Sequence, residues 1–493
     1  MSGKHKRSEV MKNLSCLILF VLAFPLFADH SETCALNMDE MLDVSTLDVE
    51  VLDDWHRVDG QVPTRQKYMT INVGELWPGQ QYRVPVRLIV PADRKAKGFH
   101  LTGGNNLKRI EQDTEIRGVS VELIKGGVGL VQTIVQEPKT WGQGPLGDEM
   151  KKRFIETLNT RYSIQFWGWP AGLCRSVTAA YAETDYFEHG KIALTGGSKN
   201  GASPSVSLIH DERMTAQHAN VSPLWDSPLR MADKAAWEAL NIEDQEYAHR
   251  KGLDEGLVTK ITRHVFRGGY FGPDYNPDAL KAGHSWEQLE QLAKRMADHV
   301  FISRNLNELK DRGVDLYYHP GTHDFVCFDI VWGGIHYPDI PVYFAANTGH
   351  GKKKRHPKNA KDESNQAAFL LNHFFDDVDE LLESPSIQTN VEGSELFVTI
   401  QFPEGSAPES GEIWWMNDRG SDGSGAYLAE LIPDENWREM EQSGNSSIWK
   451  VQIPVSATAS HIDVFTNHRK TIQYNGRDYP TYISSPYTRV VLD

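Results

Sequence analysis

The sequence predicts an α/β unit, built on a mostly parallel sheet with helices on both faces, followed by an all-β domain. Three observations carry this. Short apolar runs at 191–195, 216–221, 314–318 and 341–346 alternate with helix-compatible stretches, the pattern of a parallel sheet buried on both sides. A long polar, helix-rich insertion at about 224–309 interrupts that alternation and is placed to roof a site at the sheet edge. From 384 to 493 the pattern becomes strand-like segments at 396–402, 412–415, 449–453 and 461–465, divided by Gly- and Ser-rich turns, which predicts a sandwich-like domain.

Taken in order, Lys4, Lys6 and Arg7 precede an apolar run at 14–27 that closes on Ala28, the layout of a secretory signal peptide over 1–28. The run falls short of the ~20 apolar residues that a membrane span needs, and no later segment reaches that length. Leu26 is a poor residue for the −3 position of the cleavage site, and Met11-Lys12-Asn13 offers a second start. The expectation is an exported protein, periplasmic or extracellular, without a membrane span after signal removal. Residues 29–64 are acidic and aperiodic, and are expected to pack as a loose leader. The α/β domain is expected over 65–383. Its first strands fall at 68–73 and 82–90 around the turn Trp77-Pro78-Gly79, then at 98–102 and 128–135, with helices at 149–158, 169–183 and 367–382.

A formal net charge of −16 repels nucleic-acid phosphates and anionic lipid, so neither is an expected partner. After the signal only Cys34, Cys174 and Cys327 remain, too few and too scattered for a disulfide framework or a zinc site. A bridge between Cys174 and Cys327 stays open at this point.

The chemistry is carried by three segments, each at the carboxyl end of an expected strand. Thr195-Gly196-Gly197-Ser198-Lys199-Asn200-Gly201 puts a serine between glycines on a strand-to-helix turn, where the hydroxyl is exposed and the helix N-terminus offers N–H groups to an oxyanion. The second glycine falls one position later than in G-x-S-x-G. A bare Gly-rich turn is the bland alternative. A phosphate-binding loop fits poorly, because Lys199 follows Ser rather than Gly. His319-Pro320-Gly321-Thr322-His323-Asp324 and Asn347-Thr348-Gly349-His350 supply an acid and then a base. Serine, acid, histidine is the chain order of α/β-hydrolases. Ser198 is the expected nucleophile, His350 the base and Asp324 the acid, with Asp329 in reserve. This chemistry needs no cofactor. Pro320-Gly321 between His319 and His323 breaks helical i, i+4 ligand geometry, so no metal is expected. The basic run at 352–355 reads as a solvated loop or as an attractor of anionic substrate.

The set Gly-Gly-Ser-Lys-Asn-Gly, Gly-Thr-His-Asp and Asn-Thr-Gly-His-Gly, with Leu101-Thr102-Gly103-Gly104-Asn105 and the C-terminal β region, resembles the PhoPQ-activated pathogenicity-related protein family over roughly 65–490. The resemblance implies an α/β-hydrolase core with a helical cap insertion and a β-sandwich tail. The elbow is also similar to that of glucuronoyl esterases, which implies that Lys199 helps bind the oxyanion. Gly104 and Asn105 lie on the loop that usually gives the second donor. His323 and Asn200 depart from the family pattern, at positions that bear on specificity. The expected function is hydrolysis of a small-molecule or polymer ester or amide through an acyl-enzyme, with esters slightly favoured. The competing reading is a secreted binding or signalling protein that keeps the fold without turnover. Oligomeric state is not legible in the sequence.

Overall fold

The computed structural model describes residues 36–135, 145–253, 276–350, 355–444 and 447–492. The expected signal segment lies outside the described residues. The core is an eight-stranded sheet in the order β1-β2-β3-β5-β4-β6-β7-β8. Its strands are β1 (Glu50–Val58), β2 (Thr64–Trp77), β3 (Gln80–Pro91), β4 (Ala96–Thr102), β5 (Gly129–Thr133), β6 (Phe187–Gly197), β7 (Ala216–Asn220) and β8 (Asp315–Tyr318). β1, β2, β3 and β5 pair antiparallel, while β5, β4, β6, β7 and β8 run parallel. The sheet is mostly parallel, with the crossover at β4 and β5.

Strand alternation assigns the two faces. Ile192 and Leu194 of β6 join the apolar cluster of helix Trp169–Ala182, whereas Ala193 between them joins Phe369 and Leu370 of helix Asn365–Phe374. Val86 and Leu88 of β3 face the first cluster and Ile89 the second. Helix Lys199–His210 packs beside Trp169–Ala182 and against β6 and β7.

Four expectations are adjusted. The segment at 341–346 meets β8 and the chain just after it through the isolated parallel bridges Tyr318–Val342 and Gly321–Ala345. The Val342 carbonyl and both backbone groups of Phe344 bond the C-terminal domain: Ser484 N–H donates to Val342 O (2.8 Å), Phe344 N–H to Ser484 Oγ (2.7 Å) and Asn467 Nδ2 to Phe344 O (3.1 Å). The helix expected over 367–382 stops at Phe374, because Asp376, Asp377, Asp379 and Glu380 would crowd its negative end. The described part of the leader, residues 36–64, is not loose. Met41 and Leu47 are fully buried, and β1 extends the sheet. Buried Arg175 donates to the carbonyls of Glu40, Met41 and Asp43 and holds that turn against the core. Finally, the described parts of the insertion do not line the cavity at Ser198. Helix Trp286–Val300 packs against Lys199–His210, and helix Lys234–Lys251 reaches the C-terminal domain, where Gly425 N–H donates to Asp244 (2.6 Å). Residues 254–275 of the insertion lie outside the described residues.

The C-terminal domain has two antiparallel sheets. β9 (Ser386–Glu392), β10 (Glu395–Gln401), β13 (Glu441–Gln442) and β14 (Ile448–Pro454) form the first. β11 (Ser410–Asn417), β12 (Trp437–Glu439), β15 (His461–Tyr474), β16 (Arg477–Ser484) and β17 (Thr488–Val491) form the second. Alternate residues of each, Leu396, Val398 and Ile400 against Ile413, Trp415, Ile462 and Val464, share one apolar core.

Candidate active site

β6 ends in Gly196-Gly197, and Ser198 turns the chain directly into helix Lys199–His210. Ser198 adopts φ +55°, ψ −133°, a conformation that costs a residue with a β carbon about 1–3 kcal/mol. The crowding around it dictates the glycines. A Cβ on Gly196 would lie 2.1 Å from Asn200 O; one on Gly201 would lie 2.8 Å from Gly196 O and 3.1 Å from the Ala219 Cβ. The second glycine therefore stands at 201, because that is where the first helical turn presses on β7.

Asp324 follows β8 and is buried; His350 follows 341–346 and is about one-third exposed. His350 Nδ1 lies 3.0 Å from both Asp324 oxygens. Val326 N–H donates to Asp324 Oδ1 (3.1 Å), and the Phe325 ring packs on the imidazole at 4.8 Å. A carboxylate at Nδ1 fixes the proton there and leaves Nε2 as the basic nitrogen. Ser198, Asp324 and His350 share one cavity of about 430 Å³, whose walls also include Asn220, His319, Arg355 and Glu363.

Neither a protein-family model nor a curated protein matches the sequence. Among solved structures, the chain is similar to acetyl xylan esterase 1 from Thermoanaerobacterium, at 13% identity and TM-score 0.35, over 66% of this chain and 91% of that one. It is similar to a CE15 glucuronoyl esterase from Teredinibacter turnerae, at 11% identity and TM-score 0.35, over 59% of this chain and 66% of that one. It is also similar to Candida antarctica lipase A, at 9% identity and TM-score 0.30, over 67% and 81% of the two chains. At these identities and TM-scores no residue role passes from those proteins to this chain.

The remaining sequence-derived residues sort by their partners. Lys199, Gly104 and Asn105 stand beside the elbow rather than in the cavity wall. The Lys199 ammonium lies over the Trp169 ring, 5.4 Å from its centroid. The Asn105 side chain is committed to its own loop, donating to Thr102 O, Thr102 Oγ1 and Thr133 O at 3.0–3.1 Å. Gly104 abuts the Asn200 side chain, so this loop and the helix N-terminus do meet. Asp329, the reserve acid, is fully buried in a two-pronged ion pair with Arg230 (2.6 and 3.0 Å) and accepts from Ser227 Oγ. It is a structural group. His323 is locked between Thr322 Oγ1 (2.8 Å) and the Glu430 carbonyl, and burial holds its pKa well below the usual imidazole value. Cys174 and Cys327 are free and buried, and the Ser222 N–H donates to Cys327 Sγ, so the bridge left open by the sequence is not formed. Among the described residues, Asp53, His56 and Asp113 come close enough to share a metal ion, but the Arg87 guanidinium, 3.2 Å from Asp113, already supplies the cation.

What sequence reasoning missed is the part taken by the C-terminal domain. Arg419 is buried, stacks over Tyr427 and donates to the Thr322 carbonyl on the acid loop. Tyr427 OH donates to Cys327 O (2.9 Å) on the same loop. Asn347, on the base loop at φ +56°, exchanges two hydrogen bonds with the Ile432 backbone. Asn347 and His323 stood in the motifs themselves; a lone Arg 95 positions beyond the acid carries no local signal.

Proposed function

We propose that this chain is a serine hydrolase that cleaves an ester, with an amide as the lesser substrate, by way of an acyl-enzyme on Ser198. One observation carries the reading: a serine at a left-handed strand-to-helix turn opens into the same cavity as a histidine whose Nδ1 is held by a buried aspartate. Ser198 Oγ attacks the carbonyl carbon as His350 Nε2 takes its proton. Asp324 stabilises the imidazolium. The oxyanion is received at the N-terminus of helix Lys199–His210, by the Lys199 amide, with the Gly104–Asn105 loop opposite. Collapse breaks the ester bond, and His350 returns the proton to the leaving alcohol. Water then attacks the acyl carbon, gives its proton to His350 and restores Ser198. The N-terminal signal pattern supports action outside the cytoplasm, and the motif resemblance supports placement beside the PhoPQ-activated pathogenicity-related proteins.

The test is covalent labelling of the folded full chain by a fluorophosphonate, beside a Ser198→Ala variant. Labelling of the parent alone is the expected result. A folded parent that takes no label returns the weight to a binding protein that keeps the fold.

A further inference from the structure

The cavity at Ser198 has a neighbour that shares part of its wall. Asn220 and Glu363 line both, and beyond them a space of about 520 Å³ runs between helix Asn365–Phe374 and the β15–β16 hairpin. Volumes of this size each take a small ligand or one or two units of a chain. The far wall carries Gln366, Arg477, Asp478 and Tyr479, and its floor carries His218. His218 is 1% exposed, and both ring nitrogens lie buried without a hydrogen-bond partner. Burial holds its pKa down to about 3, so the imidazole is neutral there, a donor at one nitrogen and an acceptor at the other.

The charges in this space cancel. Arg477 lies 3.8 Å from Glu122, and Asp478 accepts from Gln473 Nε2 at 3.2 Å. Glu363 shares the Ser198 cavity with Arg355. Neither an anion nor a cation is favoured. An acyl chain laid here would leave amide and carboxyl groups facing hydrocarbon, each without its water.

The geometry points to an extended substrate subsite on the Asn220–Glu363 side of Ser198, which holds a neutral, hydroxyl-rich chain carrying the scissile ester. Neutral hydroxyls donate and accept at once, and so match amide and carboxylate partners together with an aromatic ring at Tyr479. This rests on the hydrolase reading for its substrate but not for its binding, so the two can fail separately.

The experiment compares the full chain with Ala367→Trp, which fills the second cavity from a half-buried helical position, and with Gln366→Ala, which removes one polar wall group without adding bulk. The substrates are 4-nitrophenyl acetate, O-acetylated cellohexaose, 4-nitrophenyl palmitate and an acetylserine hexapeptide. The expected result is a KM for the acetylated hexaose raised about tenfold in Ala367→Trp and less in Gln366→Ala, with 4-nitrophenyl acetate within about twofold of the parent. A KM that moves equally for the small and the long ester overturns the subsite, as does a subsite effect seen with the palmitate or the peptide instead. If the parent turns over no ester, the hydrolase reading fails. Calorimetric titration of unmodified cellohexaose into Ser198→Ala, with and without Ala367→Trp, then decides the subsite alone. Binding weakened about tenfold by the tryptophan supports it; no binding, or binding the tryptophan leaves unchanged, overturns it.

Discussion

Asn347 and Ile432 close a reciprocal pair of hydrogen bonds: the Asn347 amide donates to the Ile432 carbonyl and accepts its N–H, both at 2.8 Å. The first residue stands three positions before His350 and the second is in the C-terminal domain. Asn347 N–H also donates to Thr322 Oγ1 on the acid loop (2.9 Å), so a single side chain and its own amide tie acid loop, base loop and β domain together.

Asn347→Ala is expected to lower kcat about tenfold or more while KM stays within about twofold, and to cost about 1–3 kcal/mol of stability through two unsatisfied buried groups. Asn347→Gly separates the causes. It relieves the positive φ and still lacks the hydrogen bonds, so it is expected to recover stability over the alanine variant but not kcat. Steady-state kinetics and thermal melts of both variants check this.

The two aspartates predict opposite outcomes. Asp324→Asn is expected to keep the melting temperature and lose about 10⁴-fold in kcat, because the imidazole tautomer is no longer held. Asp329→Ala is expected to cost about 3–5 kcal/mol of stability by leaving the Arg230 charge buried alone. Its surviving folded fraction should label with a fluorophosphonate at the parent rate. Asp324→Asn that labels normally would remove Asp324 from the triad.

Gly196→Ala is expected to abolish labelling and lower the melting temperature, since its methyl would meet the Asn200 carbonyl oxygen at 2.1 Å, a backbone atom that cannot swing aside. Gly197→Ala is the control. Its methyl meets nothing closer than 3.5 Å and should leave the fold intact.

Buried histidines give the fold an acid limit. His100, His218, His319 and His468 are held by burial at about 4, about 3, about 4 and about 3, against 6.5 for the free side chain. Between those values the unfolded chain binds protons that the folded chain does not, so each contributes stability that is present above about pH 6.5 and lost as pH falls toward 4. The slope is roughly 1.4 kcal/mol per pH unit per histidine. Melting temperatures from pH 7 to 4 should fall, and His468→Gln should flatten the curve, its partner Thr466 Oγ1 remaining within reach of an amide.

The sheet was legible in the sequence because fully buried parallel strands must be continuous apolar runs, as at 191–195 and 216–221. The elbow was legible because backbone crowding at Ser198 admits glycine alone at 196 and 201. The segment at 341–346 has the same apolar texture, yet it forms no ladder. Sequence texture reports burial, whereas the partners of Phe344 and Val342 lie more than a hundred residues away. Arg230, which settles the standing of Asp329, and Arg419, which braces Thr322, were invisible for the same reason: a buried arginine spells like a surface one until its carboxylate or carbonyl is located. The insertion reads as a roof from its place between strands at the sheet edge, while the apolar stripe of Trp286–Val300 is the mark of a helix lying on a core.

The hydrogen bonds from Arg419, Tyr427, Ile432, Asn467 and Ser484 into the loops around Asp324 and His350 also impose an order of events. A ribosome releases the Ser198 turn and the loops of Asp324 and His350 well before the strands that brace them. Until β15 and β16 have been made and docked, the loops of Asp324 and His350 lack their outer walls, and a nascent chain carries Ser198, Asp324 and His350 without these braces. On the proposed hydrolase reading, competence thus waits on residues 461–484, more than a hundred positions after His350.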